Sequence, residues 1–410
     1  MTIVHDQYSV DWIKRLPLWD NPFFVTIPCY SEPDVKTTLL SLDKAAGYSD
    51  NDIVTILLIN SSVGDDRDVL LKNKNALETA ISIEPRNYYL VPLWVRDIPD
   101  RLSGVGYARR LAMDAACFYC KKYGFPENPV LCLDADSTVA ENYFIETTRF
   151  FNHHPELDAA SIYFEHPVQE VEDSRLKSGI IDYENHLRYF ILAQKWSGHP
   201  HAFHTVGSSM AVRAAAYSRE GGMNKRKAGE DFYFLHKFSK NGTLGICNET
   251  AVLPASRISD RVPFGTGRAM LDIKAGKSWT TYAPETFFDL KRINDGLRSG
   301  YQKSENEVWA ELPVSFQKFI DLGTFEGKFK QVCKHSASSE SYTKRLFQWW
   351  DAFMVFKYAH FCRDHFYPNL PVDKAVYEFF DTIGQQTPND PEEQLEMLRR
   401  LDRSRGSKGE

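Results

Sequence analysis

Asp134 and Asp136 stand one residue apart after the apolar run Leu131-Cys132-Leu133. In an extended strand, side chains at i and i+2 share a face. The spacing therefore predicts two carboxylates converging at a strand's carboxyl end, where open α/β sheets bind ligands. Two hard anionic oxygen ligands suit Mg²⁺ or Mn²⁺ shared with the phosphates of a substrate. A second acidic pair, Glu230-Asp231, follows Gly229 at a predicted helix start. Carboxylates there complement the helix dipole, and one that stays ionised can also serve as a general base. Gly104-Val105-Gly106-Tyr107-Ala108-Arg109-Arg110 reads as a glycine-lined helix start that a phosphate could approach, with Arg109 adding charge one turn in. Arg257, Arg261 and Arg268 lie in a Gly/Pro/Arg-rich loop over 254–268 that could close on a diphosphate.

Alternating strand and helix signals must position these groups. Phe23 to Pro28 reads as a first strand ending at Pro28-Cys29-Tyr30, and Asp34 as the N-cap of the helix that follows. Ile53 to Ile59 is rich in β-branched residues and ends at Asn60-Ser61-Ser62. Helices are predicted over 65–81 and 107–123, with strands over 88–93 and 130–133. Beyond residue 150 the order loosens: strands over 158–164, 208–212 and 243–253, and a helix over 178–196. From about residue 280 the strand signal fades. Helices are then expected over 287–297, 308–320, 342–365, 372–383 and 392–401. The pattern is that of βαβ units around a mostly parallel sheet, followed by a helical region.

Composition narrows the classes. At 410 residues, with 43% hydrophobic and 25% charged residues, the chain is an ordinary globular one. A net charge of −6 supplies no global attraction to nucleic acid. No apolar run approaches the roughly 20 residues of a membrane span, and residues 1–20 carry no secretion-signal core. The seven cysteines are scattered, which fits a reducing compartment, so a cytoplasmic location is expected. Cys117-x-x-Cys120 falls inside a helical pattern and reads as buried thiols. The aromatic run Leu346–Lys357 reads as a core helix, with self-association into a homodimer or peripheral contact at the inner face of a membrane as the competing roles.

Taken in order, these pieces resemble the family-2 glycosyltransferases of the GT-A fold. The matching pieces are Pro28-Cys29-Tyr30, the strand ending in Asn60, Gly-x-Gly-x-x-Arg at 104–109 and Asp134-Ala135-Asp136. They continue through Gly207-Ser208-Ser209-Met210-Ala211-Val212-Arg213, Gly221-Gly222-Met223 and Glu230-Asp231. The resemblance spans roughly residues 22–255. It implies a mixed, mostly parallel, Rossmann-like sheet flanked by helices, with an extension over 1–21 and a catalytic domain over 22–275. A helical region over 276–386 and a charged helix with a disordered tail over 387–410 would follow.

It also implies a metal-dependent, non-processive transfer of sugar from a nucleoside-diphosphate donor, with UDP as the expected base, to an acceptor hydroxyl of a glycan, a lipid-linked molecule or a small molecule. By that resemblance Pro28, Tyr30, Glu32, Asn60, Gly104, Arg109, Asp134, Ala135 and Asp136 bind the nucleotide-sugar. Asp136 and Asp134 hold Mn²⁺ or Mg²⁺, and Asp231 beside Glu230 deprotonates the acceptor in an inverting displacement. His204, Gly207 and Ser208 fall where sugar or acceptor would sit. Two departures stand out: the second strand ends without an acidic residue, and no His follows the Glu230-Asp231 helix as a further metal ligand.

Other readings stay open. A haloacid-dehalogenase-type phosphatase would use Asp134 as nucleophile and Asp136 as acid/base, but its motif belongs on a first strand, whereas three strand–helix units come first here. A sugar-1-phosphate nucleotidyltransferase needs a glycine- and Lys/Arg-rich loop after the first strand, and residues 28–33 contain neither Gly nor a basic residue. A non-catalytic nucleotide-sugar-binding module would follow from an incomplete metal site.

Overall fold

The computed structural model describes residue 14 and residues 16–224, 229–258 and 265–404. The first half alternates as expected: β1 (Pro22–Cys29), α1 (Val35–Ala46), β2 (Asp52–Ser62), α2 (Arg67–Ser82), β3 (Tyr89–Ile98), α3 (Val105–Tyr123) and β4 (Pro129–Cys132). Then come β5 (Ser137–Val139), α4 (Tyr143–His153), β6 (Ala159–Phe164), α5 (Ser174–Trp196), β7 (Met210–Arg213), α6 (Ala214–Arg219), α7 (Glu230–Asn241) and β8 (Leu244–Pro254). The rest is mainly helical: α8 (Thr266–Lys274), β9 (Thr280–Thr281), α9 (Pro284–Arg298), α10 (Glu305–Glu311), α11 (Val314–Phe319) and α12 (Leu322–Lys334). It ends in α13 (Ser339–Trp349), α14 (Ala352–His365), β10 (Leu370–Pro371), α15 (Val372–Thr382) and α16 (Pro391–Ser404).

The main sheet has the order β3-β2-β1-β4-β7-β6-β8-β5. β3, β2, β1 and β4 run parallel, and β7 and β5 run against their neighbours. The mixed, mostly parallel sheet flanked by helices is therefore present. Its pleat sorts the core: Val25, Ile27, Ile53 and Leu57 face α1 and α2, while Phe24, Val54, Ile56 and Leu58 face α3. Asp34 caps α1 as predicted, its carboxylate accepting the Thr37 N–H at 3.2 Å. Trp19 is also part of the core, its backbone N–H donating to the Tyr119 hydroxyl at 3.1 Å.

Several expected elements differ for local reasons. The helix expected over 308–320 is two, α10 and α11, because Pro313 lacks the N–H to continue the first. The helix expected over 342–365 breaks at Trp350, where Asp351 accepts the Phe353 and Met354 N–H groups and so starts α14. Part of the loop expected over 254–268 is helix, since α8 begins at Thr266.

The helices from α9 onward share one apolar cluster with Tyr189, Leu192 and Ala193 of α5, so α5 is common to the sheet and the helical region. The Leu346–Lys357 segment splits accordingly: Phe347, Trp350 and Val355 are buried, and Phe356 is exposed. Cys117 and Cys120 are buried thiols whose pKa values are raised by burial. Among the described residues, no helix is long and apolar enough to cross a membrane.

Candidate active site

The turn after β4 and the start of α7 meet at Arg109. This side chain rises from the first turn of α3 and is 1% exposed, which only paired charge can sustain. One guanidinium nitrogen lies 2.6 Å from Asp134, and the other binds the buried Glu230 carboxylate. Burial alone would lower the Arg109 pKa, but Asp134, Glu230 and Asp231 hold it above its ordinary value.

Gly207 makes room for this guanidinium. A Cβ at 207 would lie 2.7–2.9 Å from three of its atoms. Two carboxylates fix those atoms, so Gly207→Ala is expected to cost about 1–3 kcal/mol in urea unfolding. A loss under about 0.5 kcal/mol, an ordinary surface effect, would show that Arg109 yields freely. Gly207 thus serves the Arg109 cluster. Ser208 is buried in the adjoining turn, which the Ser209 N–H closes onto the Val206 carbonyl at 2.8 Å.

Asp134 and Asp136 are not on a strand. β4 stops pairing at Cys132, and the Ser137 N–H donates to the Asp134 carbonyl at 3.1 Å, turning Asp134-Ala135-Asp136 into a tight loop. The strand-face alternation expected from spacing is replaced by turn geometry. The two carboxylates still feel each other: burial raises the Asp134 pKa, and the charges of Asp136 and Glu230 push it further against the pull of Arg109. The Ala135 carbonyl accepts the Thr38 hydroxyl at 2.9 Å, tying the turn to α1.

Asp231 is the perturbed acid of the cluster. Its pKa is pushed up to about 7, first by burial and then by Glu230, while Arg109 and the Phe232 N–H pull it back. That N–H lies 2.7 Å from the carboxylate. A carboxyl poised near neutrality is suited to proton abstraction.

The nucleotide side of the expected site is built by the ends of β1 and β2. Asn73 of α2 links them, accepting the Ser31 N–H and donating to the Asn60 carbonyl, both at 2.8 Å. Pro28 lies in β1, and Tyr30 beyond it donates its hydroxyl to Asp65 at 2.8 Å. Asp65 also accepts the Ser62 N–H at 2.6 Å. An acidic residue therefore does stand at the end of β2, five positions past Asn60, delivered by the Val63-Gly64 turn. Glu32 is buried and binds Arg257, which also reaches Asp136 at 3.3 Å. Gly104 supplies the N-terminus of α3 without a side-chain cap.

Two sequence-predicted residues, Arg268 and His204, lie apart from this constellation. Arg268 sits on α8 and turns to Asp272 at 3.1 Å, an i,i+4 pair within its own helix rather than a loop cation. Arg261 falls outside the described residues. His204, expected at the acceptor, donates to the Asp402 carboxylate of α16 at 2.8 Å and packs edge-on to Phe164.

That contact belongs to a buried ionic network which sequence spacing concealed. Glu184 of α5 receives Arg188 at 2.8 Å, Arg399 at 2.7 Å and His166 at 2.9 Å. Arg188 and Lys195 continue to Asp402 at 2.8 and 3.2 Å. The other nitrogen of His166 meets Thr266, at the start of α8, at 3.0 Å. The network locks α16 against α5.

Asp134 and Asp136 form a two-carboxylate donor set of hard oxygens, each with Arg on one side. Among the described residues, no third His, Cys, Asp or Glu completes a metal cluster. Such a pair fits a divalent cation that fills its shell with substrate phosphate oxygens and water.

Residues 129–279 match the family model described as glycosyl transferase family group 2. No curated protein matches the chain. Among solved structures it is similar to S. aureus TarS 1-349, at 14% identity over 80% of this chain and 89% of that one, with a TM-score of 0.36. It is also similar to the mannosyltransferase PcManGT from Pyrobaculum calidifontis in complex with GDP-Man and Mn²⁺, at 13% identity over 86% and 91% of the two chains, TM-score 0.35. A third is glucosyl-3-phosphoglycerate synthase from Mycobacterium tuberculosis with Mg²⁺ and UDP, at 12% identity over 69% and 91%, TM-score 0.31.

Proposed function

We propose that the chain, whose residues 129–279 match the glycosyl transferase family group 2 model, transfers a glycosyl group from a nucleoside-diphosphate sugar to an acceptor hydroxyl, with Asp231 as general base. One observation carries this reading. Arg109 joins Asp134 on the β4–β5 turn to Glu230 on α7, so one of the carboxylates proposed to hold the diphosphate lies in the same charge cluster as the candidate base.

In this mechanism the ionised Asp231 takes the acceptor proton. The acceptor oxygen forms a bond to the anomeric carbon while the bond from that carbon to the diphosphate oxygen breaks, inverting the centre. Positive charge close to the leaving group stabilises it as negative charge develops. Arg257, tied to Glu32 and Asp136, is positioned to add such charge from the protein itself. A divalent cation held by Asp134 and Asp136 would act there as a Lewis acid. Tyr30, Asn60 and Asp65, at the ends of β1 and β2, form the nucleoside side, with UDP as the first donor base to test.

Calorimetric titration of UDP and GDP, with Mn²⁺ and then with EDTA, tests the donor assignment. Metal-dependent binding of at least one nucleotide is expected, weakened about tenfold or more by Asp136→Ala, the equivalent of about 1.4 kcal/mol. A folded protein that binds neither nucleotide would sink the donor assignment. Phosphatase assays dependent on Asp134 would then be the next measurement.

A further inference from the structure

A cavity of about 330 Å³ opens where the carboxyl end of α7 meets α13, lined by His201, Ser239, Lys240, Arg298, Lys344 and Phe347 among others. We propose that this cavity is a binding site for a phosphate group, held chiefly by Arg298 and Lys344. Every charged side chain lining it is a cation.

The local charges do not cancel. Lys240 is neutralised by Asp351 at 3.1 Å, and the same carboxylate faces His236 at 3.1 Å. His201 carries no charge: its ring nitrogens are occupied by the Ser239 hydroxyl at 2.7 Å and the Phe347 carbonyl at 2.9 Å, and burial pushes its pKa down to about 4. Arg298 and Lys344 remain. Asp295 is the acidic group that acts on Arg298, and it is itself bound to Lys291 at 2.9 Å. Burial lowers the Arg298 pKa, the mark of a desolvated cation short of an anion.

Arg298 is also held still. One nitrogen donates to the Gly198 carbonyl, and the guanidinium lies 4.8 Å from the Phe347 ring centroid. Gly198, at φ +78°, permits this approach, since a Cβ there would lie 2.6 Å from the guanidinium. A held guanidinium fork and an exposed ammonium lining the same cavity form a donor set that matches a phosphate, whose charge of roughly −1.5 to −2 near pH 7 offsets two cations. The volume is within the size range of small-ligand sites.

The test uses the full chain in an Asp136→Ala background, which weakens the proposed diphosphate site, and the change on Lys344→Glu separates the cavity's contribution from what remains there. Inorganic phosphate and the monoester glycerol 3-phosphate are titrated separately by calorimetry at constant ionic strength, with chloride as the control anion. Saturable binding of one or both is expected, weakened at least tenfold by Lys344→Glu, an exposed position where the fold is undisturbed. Arg298→Lys should give an intermediate loss, because it keeps the charge without the fork. Preference for the inorganic ion assigns the site to a free anion, and preference for the monoester assigns it to a phosphate borne on a larger molecule. A response equal to that of chloride, or the same affinity in Lys344→Glu, overturns the proposal. Because neither cation belongs to the Arg109 cluster, this result is independent of the transferase mechanism.

Discussion

Asp231→Asn is expected to lower kcat by about 10²–10⁴-fold, the span typical of losing a positioned general base, while UDP affinity measured by calorimetry stays at the parent value. The substitution keeps the shape of the side chain and an oxygen to receive the Phe232 N–H, now 2.7 Å from the carboxylate. What it removes is the ability to take a proton. The pH profile adds a second signature. With its pKa at about 7, Asp231 is protonated below that pH and unable to act as a base. kcat/KM should therefore fall about tenfold per pH unit below 7 and level off above it, and Asp231→Asn should flatten that limb. Retained turnover, or an acid limb unchanged in the variant, would remove Asp231 from the base role.

Why the limb lies so high follows from the cluster. An Asp beside an arginine usually titrates below its ordinary value. Here burial and the Glu230 and Asp134 charges outweigh Arg109, since Arg109 is already shared between two other carboxylates. Three acids around one guanidinium leave one of them short of compensation. Asp231 is that one.

The sequence displayed the parts of this cluster better than their arrangement. Apolar runs with β-branched residues marked β1 and β2, and the Asp34 cap marked the start of α1, because these depend on neighbours within a few positions. Asp134 and Asp136 were recognisable as a pair, but the strand geometry read from them fails. Whether β4 continues past Cys132 depends on its partners β1 and β7, which pair with it only as far as Thr26 and Met210. Asp65 was legible only as part of a helix start, and the turn that brings it to Tyr30 is a tertiary fact.

The contact made by His204 was hidden for the same reason: its partner Asp402 is remote in the chain, and no periodicity announces it. The i,i+4 spacing of Glu184 and Arg188 was readable as a surface helix pair, yet both are fully buried because α16 covers them. α12 was missed although Phe325, Phe329 and Val332 recur at helical spacing and Asp321 caps it. That signal was present in the sequence.

Arg109→Ala is expected to be strongly destabilising. It would leave Glu230, 3% exposed, without the cation that offsets its burial, and Asp134, whose side chain is 36% exposed, without its partner. Breaking a buried ionic group from one side costs about 3–5 kcal/mol, far more than the intact group contributes relative to neutral replacements. The same asymmetry supplies a control. In Arg109→Met/Asp134→Asn/Glu230→Gln no charge is stranded, so much of the lost stability should return in urea unfolding, yet transfer activity should not, because the carboxylate expected to hold the diphosphate is gone. Arg109→Lys should fall between, since a single ammonium cannot bridge two carboxylates as the guanidinium fork does. In Arg109→Ala, where the protein stays folded with its acids intact, Asp231 loses a neighbouring positive charge, so the acid limb of kcat/KM should move above pH 7. A loss below about 1 kcal/mol in Arg109→Ala, the scale of an exposed ion pair, with the limb unmoved, would mean that Arg109 does not organise this cluster.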